Sequence, residues 1–186
     1  MPKSLLFDIN EVLELFRNNK TIEMRGLSNR LIRESSMNNN KAKAELGVIA
    51  YALHKIETKE HFLHSSQWGK VKSNIIRNLN EGMDDLKREN LKGFIQNLKE
   101  VILEIEKIDS ELGHFATSLY DKAKVKQASL AYSYGMSIAQ AAELTGADKK
   151  ELQSYVGFTT MPDEEQEDKN ITKRVQELKE ILKNRK

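Results

Sequence analysis

Few side chains in this 186-residue chain carry obvious chemistry. Three of its four histidines, His54, His61 and His64, stand near Glu57 and Glu60, and imidazoles gathered with carboxylates are zinc ligands. His61 and His64 fall within one helical turn. A structural zinc site, however, needs four placed ligands and supporting hydrogen bonds, so these residues read as scattered surface histidines and no metal is expected. Glu111-x-x-His114 matches one half of a di-iron bundle pattern whose second half is missing. The chain has no cysteine, which excludes disulfides, zinc ribbons and thiol catalysis. It also lacks a glycine-rich phosphate loop, a nucleophile elbow and a zinc-protease histidine pair. Neither an enzyme nor a cofactor is expected, because nothing supplies an activated nucleophile or a tuned acid and base.

The remaining chemistry is that of cations and amides. Lys149, Lys150, Gln153 and Ser154 are spaced to share one helical face, and Lys122, Lys124 and Lys126 precede them. The 30 basic residues exceed the 28 acidic ones by only two, so overall charge announces no polyanion and any such reading rests on this local cluster. Lysines of this kind contact phosphates and give affinity without sequence choice. Gln153 is the candidate base reader, since an amide pairs bidentately with adenine. These seven residues are the candidate nucleic-acid-binding set.

Short, clearly punctuated helices must position them. Gly135 can close a helix over about residues 122–134, as a left-handed C-terminal residue does. Ser137-Ile138-Ala139-Gln140 has capping-box spacing, and Gly146 breaks the helix that follows after two turns. Asp148 caps a third helix, with Glu151 in the reciprocal position, and Gly157 ends it. Ala142 supplies the small residue that two steeply crossing helices need, Gly146 the sharp turn, and Leu152 with Tyr155 or Val156 the inward face. The segment Ser137–Val156 resembles the helix-turn-helix of prokaryotic DNA-binding proteins, whose second helix enters the major groove. Ser137, Ala141, Ala142, Glu143 and Gly146 are also similar to the Ser-x-x-x-Ala-Ala-Glu-x-x-Gly pattern of small antitoxin-type proteins. That resemblance, confined to residues 122–157, implies operator binding and often autoregulation with a partner. The ribonuclease motif of some helical toxin families, an arginine shortly before a histidine, is absent, since Arg33 is the nearest arginine before His54.

The rest of the chain reads as an all-α body. Apolar residues at 39%, charged residues at 31% and only two prolines favour an all-helical protein over a sheet protein. Asp8 is placed to cap a first helix through Ile9, Val12, Leu13 and Phe16. A second covers residues 22–36, with Leu27, Leu31 and Ile32 inward and Arg25, Arg30 and Arg33 outward. The third, residues 41–57, repeats Ala42, Leu46, Ile49, Leu53 and Ile56, with Gly47 and Ala50 permitting close approach. Trp68 begins a fourth, carrying Val71, Ile75, Leu79, Met83 and Leu86. The most regular pattern is a heptad seam of Leu91, Phe94, Leu98, Val101, Ile105, Ile108, Leu112, Phe115 and Leu119, which predicts one long helix around which the chain is organised. With a tight turn at Glu89-Asn90, residues 68–120 become an antiparallel hairpin within a helical bundle.

Three parts follow: a helical body over 1–120, a helix-turn-helix-like module over 121–160, and an acidic linker with a C-terminal amphipathic helix over 161–186. The linker holds Asp163, Glu164, Glu165, Glu167 and Asp168, and the last helix carries Ile171, Val175, Leu178 and Leu182. That helix or the heptad seam could form a homodimer or receive a protein partner. No apolar run suits a membrane, and Asp8 interrupts the N-terminal apolar residues, so a cytoplasmic prokaryotic protein is the expectation. Three functions stay open: a DNA-binding transcriptional regulator first, then an RNA- or ribosome-associated factor on the same basic face, then a protein-binding scaffold. A purely structural three-helix cap would use the same turn chemistry.

Overall fold

The computed structural model describes residues 2–112 and 118–158. Among them nine helices and no strand occur, as the all-α reading requires: α1 (Pro2–Arg17), α2 (Thr21–Asn38), α3 (Lys41–Glu57), α4 (Glu60–Leu63), α5 (Trp68–Lys87), α6 (Leu91–Leu112), α7 (Leu119–Ser133), α8 (Ile138–Thr145) and α9 (residues 149–158).

The central element is α3, not the heptad helix. Every residue from Leu46 to Leu53 is buried, and α3 packs against α1, α2, α4, α6, α7 and α8. An uninterrupted Leu-Gly-Val-Ile-Ala-Tyr-Ala-Leu run has no polar face to give to water, so it lies in the middle of the bundle. Gly47 makes the α2 contact possible. A methyl group there would lie 3.2 Å from Leu31 Cβ and from Ile32 Cδ1, and the close approach lets the Ser28 hydroxyl donate to the Gly47 carbonyl at 2.7 Å.

The hairpin of α5 and α6 forms as expected, with Glu89 in the left-handed conformation at the turn. Phe94, Leu98, Val101, Ile105 and Ile108 are buried along the seam, whereas Leu91 at its start is half exposed. The seam does not continue as one helix to Leu119. Leu119 instead opens α7, whose N-cap is Ser118, its hydroxyl accepting from the Asp121 N–H at 3.0 Å. A side-chain cap satisfies a new set of orphan N–H groups, so register with α6 is lost. The side chain of Leu112, Phe115 as a seam residue, the acidic run and the terminal helix of 171–182 lie outside the described residues.

Asp8 is not a cap. Helix α1 begins at Pro2, which puts Asp8 inside the helix facing α2 and α3 with a side chain 1% exposed. Its carboxylate meets Lys43 Nζ at 2.9 Å and Arg30 Nη1 at 3.2 Å. Arg30, read as outward, therefore turns inward to bridge Asp8, Glu11 and Glu34, while Arg25 and Arg33 are exposed.

Residues 119–158 do not hang from the end of the body. Helix α7 packs on α2, α3 and α6, and Ala123, Ala128, Ala131, Ala141, Leu144, Leu152 and Val156 belong to the same apolar cluster as Leu31, Ile49 and Phe94. The division drawn at 120–121 therefore runs through a continuous core. Among the described residues no helix is long and apolar enough to cross a membrane.

Candidate nucleic-acid interface

Most of the punctuation expected for residues 122–157 is present, but Gly157 lies inside α9 instead of ending it, and Asp148 caps α9 without a return bond from the Glu151 side chain. Gly135, at φ +95°, follows α7. Ser137 and Gln140 form the reciprocal capping box, the Gln140 N–H donating to Ser137 Oγ at 3.2 Å and the Ser137 N–H to Gln140 Oε1 at 3.0 Å. Gly146 ends α8 in the left-handed conformation at φ +70°. Asp148 Oδ1 then accepts from the N–H groups of Lys150 and Glu151, both at 2.9 Å, and starts α9.

This geometry divides the faces of α9. Leu152 is fully buried and Val156 nearly so, with Ala142 buried opposite. Lys149, Lys150, Gln153 and Ser154 are all exposed. Of the two residues considered for the inside beside Leu152, Val156 goes in and Tyr155 lies half-buried at the rim. Lys41 on α3 braces α8 from the body, its ammonium 2.8 Å from Glu143 Oε1, and that hydrogen bond holds the Glu143 carboxyl below its ordinary range.

The three lysines of α7 separate. Residues 122 and 126 are one helical turn apart, whereas 124 points about 200° away from 122. Lys122 and Lys126 are exposed. Lys124 turns toward the helix-turn-helix bend, pairs with Asp121 Oδ1 at 2.6 Å, and lies over the Tyr120 ring. Burial would raise the Asp121 carboxyl, but hydrogen bonds from Lys124 and Ser118 outweigh it and hold the group below its usual value. Burial pushes the Tyr120 phenol well up, with Glu45, Glu106 and Asp121 adding to the effect. Lys124 thus packs the turn and is turned away from the basic face.

Other cations join that face from the end of α3 and the turn that follows it. A cleft of about 440 Å³ lies between the end of α3 and the facing sides of α7 and α9, lined by Lys55 and Lys59 together with Lys122 and Lys126. Tyr51 and Tyr155 line it too, and the Lys126 ammonium donates to Tyr155 Oη at 3.0 Å. Beyond Tyr155 a second hollow runs between Lys122 on α7 and Lys150 and Ser154 on α9. On the other side, Tyr51 and Lys126 also border a hollow that contains Arg25. Lys55 in the last turn of α3 and Lys59 just before α4 were the available signal. Only the packing of α7 on α3 brings that pair beside Lys122 and Lys126.

Among the described residues no histidine lines the cleft. His54 is buried, its Nδ1 2.7 Å from the Thr21 carbonyl oxygen, and Glu57 turns to Lys72 at 3.1 Å. His61 and His64 are exposed. The side chains of Glu111 and His114 lie outside the described residues. No protein-family model matches the chain, and no curated protein or solved structure is significantly similar to it.

Proposed function

We propose that this chain is a non-enzymatic nucleic-acid-binding adaptor, a transcriptional regulator that reads duplex DNA with α9. One observation carries the reading: a doubly capped helix-turn-helix buries Leu152 and Val156 while leaving Lys149, Lys150, Gln153 and Ser154 on the outer face of its second helix. That is the disposition a groove-reading helix needs, with cations toward phosphates and an amide toward base edges. The body then serves to dimerise or to receive a protein partner, and two modules about 34 Å apart would meet successive major grooves.

Replacing Lys149 and Lys150 together by glutamate tests this. Both are exposed, so circular dichroism stays unchanged while duplex binding weakens. Loss of two phosphate contacts lowers the slope of log affinity against log salt by about 1.8. Gln153→Ala instead changes preference among DNA sequences, by about 1–3 kcal/mol at the base it reads, with nearly constant salt slope. If the double variant binds duplex DNA and structured RNA as the parent does, the interface is not on α9. If RNA binding alone suffers, an RNA- or ribosome-associated role on the same face replaces DNA regulation.

A further inference from the structure

We propose that the cleft lined by Tyr51, Lys55, Lys59, Lys122, Lys126 and Tyr155 is a binding site for a nucleotide-sized phosphorylated small molecule, a function that stands independently of duplex reading by α9. Its volume of about 440 Å³ falls within the range of small-molecule pockets, roughly 300–1,000 Å³, and is far too small to admit a duplex. Among the described residues, four lysines line it against a single carboxylate, Asp109. That carboxylate is already engaged, accepting the Leu119 N–H at 2.7 Å.

The cations are held in place before any ligand arrives. Lys55 Nζ lies 5.4 Å from the centre of the Tyr51 ring, Lys59 Nζ 5.7 Å from that of Phe62, and Lys126 is fixed by the Tyr155 hydroxyl and ring. Among the described residues no carboxylate is ion-paired with Lys55, Lys59 or Lys126. Like charges gathered in a concave, partly desolvated site repel one another and raise its affinity for an anion. A phosphate accepts several N–H bonds at once and is the anion such a ring of donors suits. Leu119 and Ala123 supply an apolar floor, so the ligand carries an organic part as well as its charge. Tyr51 and Lys126 wall the cleft on one side and Tyr155 and Lys122 on the other, since each pair also borders the neighbouring hollow.

The test is calorimetric titration of the full chain with ATP, tripolyphosphate and adenosine at about 0.1 M salt, where exposed charges beyond roughly 10 Å are screened. Saturable single-site binding of ATP is expected, with tripolyphosphate weaker and adenosine undetectable. Lys55→Gln with Lys59→Gln should weaken ATP by about tenfold or more, the scale of losing charge-assisted contacts. Lys59→Gln alone, at an exposed position, should weaken it several-fold, and it guards against misfolding of the pair. Lys149→Gln with Lys150→Gln should leave ATP affinity within about twofold, because Lys149 and Lys150 do not line this cleft. Absence of saturable binding by both ATP and tripolyphosphate overturns the proposal, as does adenosine binding as tightly as ATP. Equal losses in the two double variants also overturn it, since they would mean diffuse surface charge. Duplex DNA binding measured on the same variants reports separately on α9.

Discussion

Asp8→Asn separates two accounts of one residue by their magnitudes. An aspartate that caps a helix contributes roughly 0.5–2 kcal/mol. The structure instead puts the Asp8 side chain at 1% exposure beside a Lys43 side chain at 7%, with 2.9 Å between carboxylate and ammonium. Breaking a buried pair by removing one partner costs about 3–5 kcal/mol, because the other charge is left desolvated. Lys43 would retain Glu34 at 2.7 Å and the Ser4 hydroxyl at 2.7 Å. Arg30 would retain Glu11 and Glu34. The expected loss is therefore at the low end, about 3 kcal/mol, or a fall in Tm of roughly 6–12 °C for a chain of this size. Urea unfolding followed by helical circular dichroism measures it. Asp8→Leu with Lys43→Met, which removes both charges and keeps the volume apolar, should recover most of the loss, as replaced buried pairs do. A single-variant loss below about 1 kcal/mol, or a double variant less stable than Asp8→Asn, would refute the buried-pair account.

Stability should also depend on His54 and on Gly146. Burial lowers the His54 imidazole below its ordinary value, opposed by its bond to the Thr21 carbonyl and reinforced by Lys55 and Arg25. A depressed folded-state value means that this contribution is complete above about pH 6.5 and is lost as the pH falls from there through the lower folded-state value. Urea midpoints measured between about pH 7.5 and 5.5 should fall for the parent and fall less for His54→Gln; parallel curves would count against it. Gly146→Ala should cost about 1 kcal/mol through the left-handed backbone alone, and Gly146→Asn less. Space is not the obstacle, because the nearest atom to an added methyl is Lys124 Cδ at 3.7 Å. Equal stability of glycine and alanine at 146 would show that the turn relaxes out of φ +70°.

The division between what was legible in the sequence and what was not follows the range of the interactions. Capping residues act over three or four positions, so Ser137, Gln140, Gly146 and Asp148 announced α8 and α9 and the side of α9 that faces out. Helical periodicity likewise identified the inward stripes of α2, α5 and α6 and the all-α class. The same periodicity misled at Leu112–Leu119, where apolar spacing continues but Ser118 restarts the helix; spacing records faces and is blind to breaks in the axis. Asp8 looked like a cap because caps are local, whereas its partners Lys43 and Arg30 lie 35 and 22 positions away. The centrality of α3 was written in an apolar run without a polar face, although which helices surround it was not.

The cleft belongs wholly to tertiary structure. Lys55 comes from α3, Lys59 from the turn between α3 and α4, Lys122 and Lys126 from α7, and Tyr155 from α9. Taken helix by helix, Lys122 and Lys126 read only as part of the basic set before the turn, Tyr155 as one of two residues for the inward face, and Lys55 and Lys59 as no site. Charge convergence is a property of how helices dock, and the docking is set by Ala123, Ala128 and Ala131, small enough to bring α7 down onto the core that α3 centres. Local sequence determined the helices and the turn that expose Lys149, Lys150 and Gln153. The packing of α7 on α3 decided that Lys122 and Lys126 face Lys55 and Lys59 across a cleft while Lys124, two residues from either, is turned to the bend at Gly146.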